Sequence, residues 1–155
     1  MAEQALLSDP KPTFPYDELQ VIIWKDPLNR ETGYSPRSEY VETFWLPIIG
    51  PTTLLLLRKL SLQIEREPEG FQLLPLDWIH SLGLAPRGGR HGPLWKSLDR
   101  ACRFRLAQMV KDKYYIKQKF PMLNVTQISR LPEKLQTFHA KFPVKSYEIP
   151  HRSAG

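Results

Sequence analysis

"GPLWKSLDRACRFRLAQMVKDKYYIKQKF", from Gly92 to Phe120, carries two periodicities back to back. In its first half Leu94, Leu98, Ala101/Cys102 and Arg105 recur at three-to-four spacing. That is the spacing of one face of an α-helix. Pro93 suits the first helical turn, where its missing N–H leaves no bond unmade. Lys96, Asp99, Arg100 and Arg103 fill the intervening positions, so the outer face is largely basic. In the second half, Met109 and Val110 precede "KDK", and "YYIKQKF" alternates behind it. This pattern predicts a two-stranded hairpin with a tight turn near Asp112. Tyr114 and Tyr115 must then face opposite sides, one toward the core.

Immediately upstream lies "APRGGRHG" (Ala85–Gly92), a glycine-containing turn with two arginines and a histidine. Gly88 and Gly89 let the chain turn sharply. Amides at the start of the next helix, with Arg87 and Arg90, suit a backbone phosphate. The bland alternative is a connector with no ligand. Further back, "LDWIHSLGL" (Leu76–Leu84) predicts a short helix with Trp78, Ile79 and Leu82 on one face and Gly83 at its stop. "FQLLPL" is an extended link. "PTTLLLLRKLSLQIERE" (Pro51–Glu67) predicts the main core helix, with Leu54, Leu57, Leu60/Ser61 and Ile64 at helical spacing. "SEYVETFW" adds a helical turn or two behind Ser38 as N-cap. Pro47 and Pro51 then break or redirect the chain. "ELQVIIWKD" (Glu18–Asp26) reads as a strand or an extended arm on the core. "NVTQISRL" and "PEKLQTFHAKF" read as two short helices, or one broken at Pro132.

The order is helix, short extended link, helix, turn, basic helix, basic hairpin. It predicts an α+β, mainly helical winged helix-turn-helix domain over 17–142, with a two-stranded wing. The proline-containing ends, 1–16 and 143–155, read as disordered or extended tails. The outward helix of such a pair enters the major groove, its early residues nearest the base edges. The candidate reading residues are Arg90, His91, Lys96 and Arg100; Arg is the commonest bidentate partner of guanine. Arg87, Arg103, Lys111, Lys113 and Lys117 are the candidate phosphate residues. Arg58, on the core helix, is expected to matter less than Arg90 or Arg100.

Charge placement agrees. The chain has net charge +6, yet the 36 residues from Ala85 to Phe120 hold ten Lys/Arg against two acids. The rest of the chain is therefore net negative. Concentrated positive charge is the usual footprint of a polyanionic partner.

"YVETFWLPIIGPTTLLLLRKL", "LGLAPRGGRHGPLWKSLDRACRF" and "RLPEKLQTFHAKF" together resemble a family of uncharacterised actinobacterial proteins. The resemblance spans Tyr40 to Phe142. It implies a winged-helix-like core and a shared "GGRH" turn, and it brings no activity with it.

Enzyme chemistry finds little footing. His80, His91, His139 and His151 do not pair with one another, or with Cys or acids, at metal-ligand spacing. "GxGxxG" and "GxxxxGK" are absent. Cys102 is the single cysteine; it reads as a small core residue and suggests a reducing interior. His80 and His139 read as satisfied structural residues. "FWLPIIGPTTLLLL" (Phe44–Leu57) is shorter than the roughly 20 residues a membrane helix needs and holds two prolines. The expectation is a cytoplasmic, nucleoid-associated protein without catalysis, cofactor, metal or membrane contact. It binds double-stranded DNA as a transcriptional regulator or chromosome-associated factor. The same basic face also suits RNA or the ribosome, or an acidic protein partner of a winged-helix interaction module. "ELQVIIWK" could add a strand to such a partner or pair two copies as a homodimer.

Overall fold

A computed structural model describes residues 18–25, 33–86 and 91–143. The expected N-terminal tail, the expected C-terminal tail beyond Pro143, most of the loop after Lys25, and Arg87 to Arg90 lie outside the described residues. The elements are β1 (Leu19–Ile23), α1 (Leu46–Ile49), α2 (Pro51–Arg66), β2 (Phe71–Leu73), α3 (Pro75–Ser81), α4 (Pro93–Arg103), β3 (Ala107–Val110), β4 (Lys113–Ile116), α5 (Val125–Ser129) and α6 (Glu133–Lys141). A π-helical stretch, Val41–Trp45, runs straight into α1. The domain is α+β, and its strands form one mixed four-stranded sheet of order β2-β1-β4-β3.

The sheet holds the main departure from expectation. The basic hairpin β3–β4 forms as the alternation predicts, with Ala107 opposite Ile116 and Val110 opposite Lys113. It is not a free two-stranded wing, because β1 lies against β4, parallel, from Gln20↔Lys113 to Ile23↔Ile116. The other edge of β1 pairs antiparallel with β2, Val21 opposite Phe71. The N-terminal strand thus fills the slot between the link after α2 and the hairpin. Alternation along β1 explains the fit: Leu19 and Val21 are fully buried, whereas Gln20 and Ile22 stand on the opposite, partly exposed face.

α2 forms where the spacing predicts. Leu54, Leu57, Leu60, Ser61 and Ile64 are all buried, and Leu56 joins them. It packs against α4 and α1, and touches β1. Burying such leucines contributes roughly 1.5–3 kcal/mol each. At Pro47 the chain does not break. Pro47 has no N–H for the helical ladder, and the turn ahead of it widens: Leu46 N–H donates to Val41 C=O, five residues back. Gly50 marks the stop, and Pro51 starts α2.

The C-terminal part closes the core from the other side. Phe44 and Tyr40 meet Phe142 and His139 at ring-centroid distances of 4.7–5.5 Å. Trp45 Nε1–H donates to Pro121 C=O at 2.9 Å. Tyr40 Oη accepts the Leu123 amide at 2.9 Å, and the Tyr40 hydroxyl and Nε2 of His139 share a hydrogen bond of 2.7 Å. Burial lowers the His139 pKa and so favours its neutral ring. His139 is thus the structural residue its sequence context suggests; His80, by contrast, is exposed. Arg58 is not an idle surface charge: it donates to Pro36 C=O at 2.8 Å and pairs with Glu42 at 3.0 Å.

Candidate nucleic-acid interface

α4 begins at Gly92–Pro93, without a side-chain cap. Its apolar stripe, Leu94, Leu98 and Ala101 with Ser97, is buried against α2, α3 and β3. The opposite side holds Lys96, Arg100 and Arg103 at i, i+4 and i+7, all exposed, with Asp99 among them. One helix face therefore presents three cations to solvent. Arg103 lies 3.5 Å from Asp99, and both side chains are more than half exposed. An exposed i,i+4 pair of this kind is worth about 0.3–0.5 kcal/mol, too little to withhold Arg103 from a phosphate. His91 is exposed just ahead of the helix. Arg87 and Arg90 lie outside the described residues.

The helix does not reach Arg105. α4 ends at Arg103, and Arg105 is an exposed residue at φ 58°, so it does not continue the buried stripe. The chain turns there because Leu106 must re-enter the core: its amide donates to Ala101 C=O, and its side chain is fully buried.

A buried hydroxyl fastens the hairpin to α4. Tyr114, 0% exposed, donates its O–H to Leu98 C=O at 2.6 Å. Burial holds the Tyr114 hydroxyl protonated, well above its ordinary range. Burial also pushes the Cys102 thiol up. A half-buried thiol with a raised pKa is a packing residue and a poor nucleophile.

The hairpin lysines do not all join the α4 face. Lys111 occupies the turn at φ 60°, exposed at the tip. Tyr114 points toward α4, so Lys113, Tyr115 and Lys117 leave the other face of the sheet. Lys113 is exposed there. Lys117 lies over the Trp24 ring, 5.1 Å from its centroid, a cation–π contact that draws it to β1. The basic residues therefore divide into the α4 face, the hairpin tip and the outer sheet face. The outer sheet face also carries a shallow cavity of about 470 Å³ lined by Ile22, Trp24, Gln108, Val110 and Tyr115.

One feature escapes the sequence reading. A cleft of about 260 Å³ opens where the start of α2 meets α4, with Thr52 and Thr53 on one wall and Lys96, Ser97 and Arg100 on the other. Its signal in the sequence is the repeated Gly-Pro at two helix starts, Gly50–Pro51 and Gly92–Pro93. Spacing alone does not say that the two starts meet.

Among the described residues, no three His, Cys, Asp or Glu side chains gather as metal ligands, and no helix is long and apolar enough to cross a membrane. No family model, curated protein or solved structure matches the chain.

Proposed function

We propose that this chain is a DNA-binding protein of the winged-helix kind, docking α4 and the β3–β4 hairpin on duplex DNA as a transcriptional regulator or chromosome-associated factor. The observation that carries the reading is the exposed Lys96–Arg100–Arg103 face on a helix whose opposite side is locked into the core. A rigidly seated basic helix presents its charges at fixed spacing, which suits the regular phosphates and base edges of a groove. The order α2, β2, α3, α4, β3, β4 supports it further. Phosphate attraction from Lys96, Arg100 and Arg103 on α4 and from Lys111 at the hairpin tip steers the encounter and holds the helix on the duplex. Nucleoid association follows from the same attraction.

Fluorescence anisotropy with a mixed-sequence duplex and a matched RNA hairpin tests it. If six cations touch phosphates, affinity falls about a thousandfold between 50 and 200 mM salt. The double variant Lys96→Ala/Arg100→Ala weakens duplex binding at least tenfold. Lys134→Ala, exposed on α6, leaves it unchanged. Lys134 is the better control, because Arg58 is tied into the fold. Equal binding by all variants refutes the placement of the interface. Preference for the hairpin makes RNA the partner. No binding to either at low salt leaves the face to an acidic protein.

A further inference from the structure

Two helices start with Gly-Pro, and the tertiary structure sets residues of both around one cleft. α2 is 16 residues long, and Gly50, its N-cap, offers no side chain to its first amides. The first bond of its ladder is Leu54 N–H to Gly50 C=O. The amides of Thr52 and Thr53 are left with no acceptor among the described residues. No acidic residue stands in the first turn of α2 or of α4. Such a terminus carries partial positive charge and suits an anion.

The side chains point the same way. Thr53 is 3% exposed and Ser97 is 5% exposed, and both line the cleft. Among the described residues neither hydroxyl has a hydrogen-bond partner. Buried hydroxyls are ordinarily bonded, and leaving one unmet costs about 1–3 kcal/mol. Two of them line one cleft with the cations of Lys96 and Arg100, so donors outnumber acceptors there. A tetrahedral oxyanion has the lone pairs to meet amides, hydroxyls and cations together.

We propose that this cleft is a phosphate site, built from the Thr52 and Thr53 amides, the Thr53 and Ser97 hydroxyls, and the side chains of Lys96 and Arg100. A backbone phosphodiester of the duplex docked on α4 is the phosphate it takes. That source rests on the DNA-binding reading; the site itself does not. Seated there, the phosphate fixes the depth and register of α4 in the groove.

The test is amide-resolved NMR of the full chain, titrated separately with a short duplex and with inorganic phosphate, beside anisotropy on variants. Thr53→Val and Ser97→Ala keep volume while removing a hydroxyl, and thermal melts establish that both fold. The expected result is that the duplex shifts the Thr52 and Thr53 amides. The Thr53→Val/Ser97→Ala double variant then loses about tenfold in affinity with its salt slope unchanged. Lys96→Gln and Arg100→Gln each lower that slope by about one. If the duplex shifts the α4 amides but not Thr52 and Thr53, and the hydroxyl variant binds like the parent, the site is overturned while DNA binding stands. If no nucleic acid binds, yet millimolar phosphate shifts Thr52 and Thr53 only when both hydroxyls are present, the site stands with free phosphate as its ligand and DNA binding falls. Silence of these amides toward both probes overturns the site.

Discussion

Replacing Gly70 with alanine tests the seat of β1, the strand that turns a hairpin into a four-stranded sheet. Gly70 has φ +113° and closes the turn after α2 by donating its amide to Glu67 C=O at 2.9 Å. A Cβ placed there meets the Val21 carbonyl oxygen at 2.8 Å, closer than real Cβ atoms come, and Ile22 Cγ1 at 3.5 Å. The oxygen belongs to backbone held on both sides, by β2 and by β4, so it cannot swing away. Two costs follow. Holding a non-glycine residue in that backbone region costs about 1–3 kcal/mol. Forcing β1 aside adds the roughly 1–3 kcal/mol typical of overpacking. The expected loss is about 3–4 kcal/mol, a large share of the 5–15 kcal/mol that holds most domains together. Gly83→Ala is the internal control. Gly83 also has positive φ, 71°, but its added Cβ meets open space. That substitution carries strain alone, about 1 kcal/mol after the entropy lost by the unfolded chain is offset. Guanidinium unfolding followed by circular dichroism measures both. A Gly70→Ala loss no larger than that of Gly83→Ala refutes the packing of β1 against this turn.

Tyr114→Phe removes the bond to Leu98 C=O and keeps the ring. That carbonyl sits within α4 and retains its helical bond, so the loss is about 1 kcal/mol, a drop of about 4 °C in Tm; an unchanged melt refutes the bond. Stability also falls with acidity through His139. Its folded pKa lies below its unfolded value because burial disfavours the charged ring. The unfolded chain therefore takes up the proton first. Stability is full above about pH 6.5 and declines as pH drops from there through the folded pKa. In His139→Gln the decline between pH 7.5 and 5 is shallower; matching slopes for the two proteins count against the half-buried neutral ring.

Much of this molecule is written locally. The three-to-four spacing from Leu54 to Ile64 and from Leu94 to Ala101 fixes α2, α4 and their buried faces, because an amphipathic helix needs only neighbours within two turns to declare itself. Alternation and a short turn do the same for Ala107–Ile116, and Gly83 and Pro132 punctuate the chain where they should. The exposure of Lys96, Arg100 and Arg103 follows from that period alone. Other features depend on partners far along the chain. "LQVII" is apolar enough to be a strand anywhere; its place between Phe71 and Lys113 comes from two sheet edges, β2 and β4, contributed by segments far along the chain. The hairpin's lysines divide between faces because Tyr114 turns inward to Leu98. Thr53 and Ser97 lie more than 40 positions apart, and each reads singly as a small polar residue in a helix. Only the crossing of α2 and α4 brings their hydroxyls beside Lys96 and Arg100, since periodicity tells which face of a helix is buried but not which residues of another helix it meets.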